Sequence, residues 1–494
     1  MGYKALWYNR EHYLLHEWRK NHSDIEFIWS VSEDLGVDVL TQAAQALSQS
    51  ANGRNETLPE QFICVQLNES ACSILKNLQN FTITIYNGNT RPMSTSMSIP
   101  IYGNEKYQVY DSNGATITSQ IISTFVNPGQ IDNPDIAPNT LVFQADVDPL
   151  GFTTKNQPEE RPKTLSSGVI SNELISLSFD SFGYLSSFTN LKTGATYPIR
   201  QEFFWYPGDN VGSTAYMFLP TLTEPVSVSS LVQTTFVNTS LLQEARQIIN
   251  SWLSQTIRLY PNKPIVEFEW TVGPIPKENN TNAQISKNII TKYMVPTLNN
   301  SGVFYTDSNG RQMVQRKRNY QKYYQFTNIQ PVAANYYPIP SRITIQDSNS
   351  TLAVLTDRSH GGSSLVDGQV EIMLHRRLFY NDSAVQMLDE PGRDGRGLVV
   401  RGKHWLILSP NDEATTLHRS FGAVGDGITN DTKAVRDALM AAYKTNGGRV
   451  IFDAGYQFLT GPLNVTSNVI LDVRGTIIAS MNTSDYFLVA KEPW

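Results

Sequence analysis

The chain has 494 residues, with 39 Lys and Arg against 45 Asp and Glu, which gives a formal net charge of −6. Its charged share of 17% is below the roughly 25% of an average soluble chain. These values are typical of a globular β-rich protein. They exclude a disulfide-dense miniprotein and a general nucleic-acid binder, because phosphate affinity needs a basic surplus. No apolar run approaches the roughly 18 residues of a membrane-spanning helix, so we predict neither nucleic acid nor a membrane as a partner.

The N-terminal residues argue against a signal peptide, whereas the rest of the chain is typical of a secreted protein. The start, MGYKALWYNREHYLLHEWRK, mixes charged and aromatic residues and has no continuous apolar stretch. Twelve Asn-X-Ser/Thr sequons follow. They begin at Asn21, Asn55, Asn68, Asn80, Asn238, Asn279, Asn299, Asn349, Asn381, Asn430, Asn464 and Asn482. We therefore expect a secretory protein whose true N-terminus is missing from this chain.

Two cysteines, Cys64 and Cys72, stand eight residues apart in CVQLNESAC. This spacing is short enough to close a small loop, and a disulfide fits the secretory pattern. Two free buried thiols are the alternative, because unpaired cysteine is among the most buried residue types.

The first half of the chain predicts helices followed by a small β domain. Residues 4–34 predict a helix and then a buried strand, and residues 37–50 repeat apolar positions at helical spacing. From residue 81 the pattern changes to period two, with short strands separated by Asn-Gly and Pro-Gly turns, which predicts an antiparallel β domain over 81–155. The polar, Pro-containing stretch 155–164 predicts a linker.

Residues 168–415 contain a long series of strand patterns without helical interruption. VISNELISLSFDSFGYLSSFTNLKTGATYP suggests two hairpins, and TIRLYPNKPIVEFEWTV suggests two alternating strands paired across Pro-Asn-Lys-Pro. About 250 residues of this kind predict a large β-sandwich and disfavour a parallel sheet.

The pattern changes again after Leu417. One amphipathic helix is predicted from Asp431 to Lys444, followed by short strands separated by Gly, Pro and Asn. Rungs of about seven to ten residues predict the first turns of a right-handed parallel β-helix.

Several long segments resemble the C-terminal half of the class II α-mannosidases, nearest the lysosomal type. They are TDSNGRQMVQRKR (306–318), ANYYPIPSRITIQD (334–347), LTDRSHGGSSLVDGQVEIMLHRRLFYND (355–382) and GRGLVVRGKHWL (395–406). The resemblance extends back to residue 37, and residues 1–36 resemble a separate part of the family's catalytic domain. It implies a galactose-mutarotase-like sandwich, a glycoside hydrolase acting on terminal α-mannose of N-glycans, and a lysosomal or secretory location.

The resemblance also implies zinc chemistry whose residues are not found in this sequence. Members of the family are retaining glycosidases that use two carboxyl groups and a zinc held by two His and two Asp. Their His-Ser-His-X-Asp, Asp-Pro-Phe-Gly-His and Gln-His-His-Asp-Ala motifs do not occur here. His22 and Asp24 match only the letters of a His-X-Asp pair. His12 and His16 would share one face if this segment is helical, but no zincin Glu accompanies them. We therefore predict no catalytic residue and no metal ligand in this chain.

The same resemblance implies a substrate-binding role for Arg376 and Arg377. In the family this loop lies beside the active-site cleft, where the planar fork of an arginine can hydrogen-bond a sugar hydroxyl. An ion pair with Asp389 or Glu390 inside the sandwich is the alternative. The basic triplet 316–318 is interpreted as an exposed strand edge rather than a nucleic-acid patch.

Residues 420–494 resemble the start of polygalacturonases and other pectin-lyase-like proteins, through FGAVGDGITNDTKAVRDAL. The family's catalytic aspartates lie on later rungs. Asn482 to Asp485 is only partly similar to the first catalytic motif, Asn-Thr-Asp, and lies too early in the coil. Asp426 and Asp431 are carboxylates for which turn and helix-cap roles are the better interpretation.

The sequence thus predicts a mainly β protein with a short helical N-terminal remnant. Its expected parts are a catalytic-domain remnant (1–36), a helical segment (37–80), a small β domain (81–155), a sandwich (165–415) and a partial β-helix (420–494). The expected function is that of an α-mannosidase fragment that binds mannose-containing N-glycans and is not competent alone. A non-catalytic carbohydrate-binding or accessory sandwich protein is the alternative, and the oligomeric state is left open.

Overall fold

The computed structural model describes most of the chain from residue 64 to residue 482. The described residues are 64, 66–78, 80–87, 92–103, 107–111, 114–130, 133–148, 152–158, 168–209, 212–278, 284–320, 330–380, 387–410, 422–444, 448–452, 456–465 and 469–482, with backbone alone at 86 and 152–158. The helices and strand predicted over 4–50 lie outside these residues. The chain forms two compact units, one made of Met1–Asp347 and Leu352–Leu408 and the other of Ser348–Thr351 and Ser409–Trp494.

The described part of the first unit begins with two short 3-10 helices, Leu67–Glu69 and Ser73–Asn77. The Sγ atoms of Cys64 and Cys72 are bonded here, with 5.2 Å between the two Cα atoms. Of the two interpretations of the cysteine pair, the structure therefore contains the disulfide.

The small β domain follows as six strands in two three-stranded sheets. They are β1 (Ile83–Tyr86), β2 (Met93–Ile101), β3 (Gln108–Tyr110), β4 (Ser119–Ser123), β5 (Asn139–Val147) and β6 (Phe152–Pro158). The orders are β1-β6-β3 and β2-β5-β4, and all pairs are antiparallel. The core between the sheets contains Ile85, Ile101, Leu141 and Phe143. Val142, between the last two, is also buried and packs on the opposite face of β5 with Leu241.

The predicted linker begins later than expected. Strand β6 continues to Pro158, and Lys155 pairs with Ile83 while Pro158 pairs with Gln108. The expectation of a linker from residue 155 is therefore wrong for its first four residues. Sheet pairing acts through the backbone, so a polar sequence with weak strand propensity can still form a ladder.

The sandwich contains three sheets. Its strands are β7 (Val169–Ser171), β8 (Ile175–Phe179), β9 (Leu185–Asn190), β10 (Thr196–Pro198), β11 (Arg200–Pro207), β12 (Val226–Ser227), β13 (Gln233–Asn238), β14 (Gln243–Asn250), β15 (Leu253–Leu259), β16 (Val266–Val272), β17 (Lys287–Met294), β18 (Val303–Ser308), β19 (Gln312–Lys317), β20 (Tyr337–Ile339), β21 (Arg342–Gln346), β22 (Ser350–Thr356), β23 (His360–Ser363), β24 (Gln369–Arg377) and β25 (Val400–Pro410). A 3-10 helix, Ala333–Asn335, precedes β20.

The two large sheets have six and nine strands. Their orders are β12-β11-β17-β24-β23-β20 and β13-β14-β15-β16-β25-β22-β21-β18-β19, and β10-β9-β8-β7 forms a four-stranded meander. The protein is therefore mainly β with several antiparallel sheets, as the sequence predicts. The segment expected to form two hairpins forms this meander, because the short strand β7 adds to its edge.

The core lies between the facing sheets. In β16, VEFEWTV, the side chains of Val266, Phe268, Trp270 and Val272 point into it and are almost completely buried. Strand β16 pairs with β15 from Leu253↔Val272 to Arg258↔Glu267, so the predicted hairpin across Pro-Asn-Lys-Pro is confirmed. Period-two alternation explains this directly, because successive side chains point to opposite faces of a sheet.

The outer face of the nine-stranded sheet carries a buried network of charged side chains. The carboxylate of Glu244 accepts hydrogen bonds from the Nε atoms of Arg246 at 2.7 Å and of Arg258 at 2.6 Å. Glu267 accepts from Arg258, and from Lys403 Nζ at 2.8 Å. Burying charges is costly unless they are paired. Each charge named here has a partner of opposite sign, so another part of the chain can cover this face.

The small β domain covers this face. Arg246 donates to the backbone oxygen of Ser123 at 2.8 Å, and Ser96 Oγ donates to the backbone oxygen of Leu241 at 2.9 Å. Ile122 packs with Leu241 in a shared apolar cluster. The small β domain and the sandwich therefore pack together as one compact unit.

We expect Glu267 to stay ionised, and to keep stabilising the fold, at a lower pH than an ordinary glutamate. Burial opposes the charged form of Glu267, but Lys403 and Arg258 outweigh it and lower the pKa of this carboxyl to about 2. A lowered carboxyl pKa contributes stability above its ordinary pKa, near 4.5, and that contribution is lost as the pH falls toward the folded value. Glu267→Gln should be less stable than the unmodified protein above about pH 4.5, and most of this difference should disappear as the pH falls from about 4.5 to 2. The free energy of unfolding is followed by circular dichroism at each pH. A difference that stays constant over this range would contradict the assignment, and Glu224→Gln, at an exposed carboxyl, is the control.

The second unit pairs its strands in parallel. They are β26 (Asp426–Asn430), β27 (Gly448–Phe452), β28 (Gln457–Thr460), β29 (Val469–Val473) and β30 (Thr476–Ala479), in the orders β26-β28-β30 and β27-β29. Helix α1 (Thr432–Lys444) packs Val435 and Leu439 against Phe452 and Phe458. The predicted helix is thus confirmed, one residue shorter at its start. In the part of the chain that the structure describes, no helix is long and apolar enough to span a membrane.

Candidate carbohydrate-binding site

The sequence-predicted arginines lie at the end of β24, in the six-stranded sheet. Strand β24 pairs with β17 through Asn288↔Arg376 and Lys287↔Arg377. Neighbouring residues of a strand point to opposite faces, so the two guanidinium groups enter different surroundings. The structure therefore separates two residues that the sequence treats together.

Arg377 is held inside the sandwich. Its guanidinium contacts Asp389 Oδ1 through Nε at 2.8 Å and through the second terminal nitrogen at 2.6 Å. The remaining terminal nitrogen donates to the backbone oxygens of Ile275 and, at 2.7 Å, Arg396. Only 6% of the side chain is exposed. Of the two interpretations given above, these contacts match the ion pair with Asp389.

A glycine makes room for this guanidinium. Gly397 has a φ of +130°, which side chains rarely adopt, and a Cβ there would lie 2.8 Å from the terminal nitrogen of Arg377. The loop before β25 therefore closes over Arg377 only because it carries no side chain at this point.

Arg376 is partly exposed and anchors a loop. Its Nε donates to Asn288 Oδ1 at 2.8 Å, and its two terminal nitrogens donate to the backbone oxygens of Ala215 at 3.3 Å and Met217 at 2.8 Å. Ala215 and Met217 flank Tyr216 in the connection between β11 and β12. One guanidinium thus holds the backbone on both sides of a single aromatic residue.

Tyr216 projects into solvent from the tip of this loop, with 80% of its surface exposed. The hydroxyl of Thr214 accepts hydrogen bonds from the backbone N–H groups of Tyr216 and Met217, each at 3.2 Å. The hydroxyl of Ser213 donates to the backbone oxygen of Leu219 at 2.8 Å, which closes the base of the loop. An exposed aromatic ring on a loop with this many internal hydrogen bonds is presented in a defined position.

Sequence reasoning did not find Tyr216. The only local signal is GSTAYMFLP, in which small residues able to form a hydroxyl-capped turn precede a tyrosine. Its neighbour Arg376 is 160 residues further along the chain, so only the fold brings the two together.

The described residues do not form a zinc site. No group of three or more His, Cys, Asp or Glu side chains among them is placed to hold a metal ion. His375 and His404 are buried within the sandwich, and His360 Nδ1 lies 2.7 Å from the backbone oxygen of Met373. Burial, with His360 and Arg358 nearby, holds the pKa of His404 well below its usual range. His12, His16, His22 and Asp24 lie outside the described residues.

The other charged residues singled out in the sequence have structural roles. Arg316 belongs to β19, the last strand of the nine-stranded sheet, which confirms an exposed strand edge. Asp426 accepts the backbone N–H groups of Ile428 at 2.8 Å and Thr429 at 2.7 Å. The buried carboxylate of Asp431 accepts those of Val424 and Gly425 immediately before helix α1. The turn interpretation of Asp426 is therefore confirmed. The carboxylate of Asp431 binds the preceding turn and not the first N–H groups of the helix, so its expected cap role is replaced by a turn contact.

Comparison with known families identifies the sandwich. Residues 170–384 match the model of the glycosyl hydrolases family 38 C-terminal domain. This range contains both Tyr216 and Arg376. Most of the sandwich therefore matches the C-terminal domain of glycosyl hydrolase family 38.

The homology extends beyond that range and is to alpha-mannosidases. The chain is 37% identical to the lysosomal alpha-mannosidase of Bos taurus over 389 residues, covering 76% of this chain and 37% of the relative. It is 36% identical to the human lysosomal alpha-mannosidase over 398 residues, with 76% and 38% covered. The chain thus spans less than two fifths of the length of these relatives. A crystal structure of an alpha-mannosidase from Enterococcus faecalis aligns with a TM-score of 0.44 at 14% identity, over 70% of this chain and 45% of that one.

Proposed function

We propose that this chain is the C-terminal β region of a lysosomal-type α-mannosidase and that Tyr216 and Arg376 form a carbohydrate-binding edge on it. The observation that supports this most strongly is the exposed Tyr216 ring between two carbonyls held by one guanidinium. The homology to lysosomal alpha-mannosidases supports a mannose-containing N-glycan as the ligand.

The chemistry of a sugar matches this arrangement. A pyranose presents an apolar face of C–H groups and a rim of hydroxyls, and a tyrosine offers an apolar ring with a polar tip. The half-exposed Met217 widens the apolar surface beside the ring. The contact between Arg376 and Met217 lies at the surface, so a sugar stacked on Tyr216 has a fixed cation at its rim.

Hydrolysis is assigned to the parts of such an enzyme that lie outside the described residues. In the family a zinc supplies Lewis-acid chemistry beside a carboxylate nucleophile, and neither set of motifs occurs in this sequence. We infer that this chain contributes glycan contacts and does not itself cleave the glycosidic bond. The twelve sequons and the Cys64 disulfide support a lysosomal or secretory location.

We further infer that the second unit is the start of a pectin-lyase-like β-helix. The parallel pairing of β26 with β28 and β30, and of β27 with β29, supports this. The FGAVGDGITND segment places its Asp residues in turn contacts, so we assign it a structural role and no catalysis.

The carbohydrate-binding edge is tested by replacing Tyr216. We expect Tyr216→Ala to weaken binding of a mannose-terminated N-glycan about tenfold or more, because the stacking surface is lost while a surface residue contributes little to folding. Binding is measured by titration followed by protein NMR or calorimetry. The matched control is Tyr320→Ala, which removes another exposed tyrosine. Equal affinities of the two variants and the unmodified protein would refute the proposal.

A further inference from the structure

A buried carboxylate lies behind the loop that carries Tyr216. Glu371, on β24, is 3% exposed on the face of the six-stranded sheet that also carries Tyr206. The hydroxyl of Tyr206 lies 3.2 Å from Glu371 Oε1, and the hydroxyl of Tyr336 donates to the same oxygen. The ammonium of Lys292, directly across on β17, lies 3.2 Å from Oε2. One carboxylate thus connects three strands or their flanking segments.

The rings of these two tyrosines support Phe218. The Phe218 ring centroid lies 5.8 Å from that of Tyr206, with an edge-to-face geometry, and 4.8 Å from that of Tyr336. Phe218 is two residues after Tyr216 and is the aromatic residue by which the loop packs onto the sheet. The contacts therefore run from Glu371 to the tyrosine rings, and from these rings to the loop.

Both tyrosine hydroxyls remain hydrogen-bond donors. Burial, with the carboxylate of Glu371 second, raises the pKa of Tyr206 and of Tyr336 far above the usual range. Burial also raises the pKa of Glu371, and Lys292 and the two hydroxyls oppose that rise. Hydrogen bonds to a charged acceptor are stronger than neutral ones, so Glu371 sets the orientation of both rings.

We propose that Glu371, acting through Tyr206 and Tyr336, is a positioning residue that fixes the loop presenting Tyr216. The inference rests on the carbohydrate-binding edge proposed above, because positioning matters only if Tyr216 meets a ligand. Glu371 itself lies too deep to touch a sugar at Tyr216. Its role is to hold Phe218 in place, while Arg376 holds the backbone on either side of the tyrosine.

The test uses Tyr336→Phe in the full chain, with Tyr293→Phe as the matched control. Tyr336→Phe keeps the ring that contacts Phe218 and removes only the donor to Glu371. Tyr293→Phe likewise removes one buried hydroxyl, which lies 3.0 Å from His404 Nδ1 and is not connected to the loop. Two properties are measured for each variant: amide hydrogen exchange of the loop and affinity for a mannose-terminated N-glycan.

The informative amides are those of Ser213 and Thr214, which donate to the backbone oxygens of Asp209 and Met217. We expect Tyr336→Phe to speed the exchange of these two amides about fivefold and to lower the affinity for the glycan to a similar degree. This is the size of effect expected from losing one charge-assisted hydrogen bond. Tyr293→Phe should lower thermal stability about as much as Tyr336→Phe does, but it should change neither loop exchange nor glycan affinity. Glu371→Gln, which retains one acceptor oxygen, should give a smaller effect than Glu371→Ala if both variants fold.

The outcomes separate this inference from the proposed function. Faster loop exchange in Tyr336→Phe, with no change in Tyr293→Phe, supports the positioning role. If Tyr336→Phe lowers thermal stability but leaves loop exchange unchanged, the cluster is ordinary core packing and the inference is overturned. If Tyr216→Ala does not alter glycan affinity, the carbohydrate-binding edge fails even where the loop exchange responds.

Discussion

Replacing Arg377 by alanine is expected to lower the free energy of unfolding by about 3 kcal/mol, because it removes the main ion-pair partner of Asp389 and the donor to two backbone oxygens. Asp389 would keep only Lys277, whose side chain is 46% exposed. The backbone oxygens of Ile275 and Arg396 would lose their donor. The retained Lys277 places the expected loss at the low end of the range for breaking a buried ion pair.

Arg376→Ala is the matched control, since it removes the same side chain one residue earlier. Its guanidinium is partly exposed, and the contacts described above are to a side-chain amide and two backbone oxygens, so each of these hydrogen bonds contributes about 1 kcal/mol. Urea denaturation followed by fluorescence measures both variants. We expect Arg376→Ala to affect glycan binding more than stability and Arg377→Ala to do the reverse. Equal losses of stability in the two variants would contradict this division of roles.

The chain as given is expected to show no α-mannosidase turnover. Retaining hydrolysis needs a nucleophile and an acid/base carboxyl about 5 Å apart, and the family's motifs for both are absent from this sequence. Purified protein is assayed on an aryl α-mannoside at acidic pH with added zinc. Glycan binding without turnover fits both an α-mannosidase fragment and the alternative of a non-catalytic carbohydrate-binding protein.

A heat-treated sample and a chelator separate true turnover from contamination. Release of the aryl group that exceeds the heat-treated sample and disappears with chelator would show that a complete metal-dependent site exists, and the proposal would then fail. Adding the Tyr216→Ala variant to the same assay identifies whether any such activity uses the carbohydrate-binding edge.

Local alternation in the sequence was enough to predict the strands. It did not predict which part of the chain packs against the outer face of the nine-stranded sheet. The pairing of β15 with β16 follows from period two and a Pro-Asn-Lys-Pro turn. The same alternation assigns Arg258 and Glu267 to a solvent-facing side, whereas the structure places both in a largely buried charge network that reaches the small β domain through Arg246 and Ser123. The covering residues lie more than 100 positions away in the chain, and such a distant contact leaves no periodicity in either segment.

The candidate site was predicted in part. The family resemblance proposed Arg376 and Arg377 together as substrate-binding residues. It could not assign them different contacts, because those depend on which carbonyls and carboxylates the folded chain brings to each. Tyr216 was missed for the same reason, since its distinctive property is exposure at a loop tip. Strand alternation alone does indicate that two adjacent arginines cannot face the same surface.

The position of β25 has a consequence for where the sandwich can be cut. Strand β25, Val400–Pro410, is the fifth of nine strands in the large sheet and joins β16 to β22. It lies beyond residue 384, where the match to the family model ends. A fragment that stops at that boundary would split the sheet into two halves and expose two new strand edges to self-association. The boundary of sequence similarity is therefore not a boundary of folding, and the smallest autonomous unit must extend through Pro410.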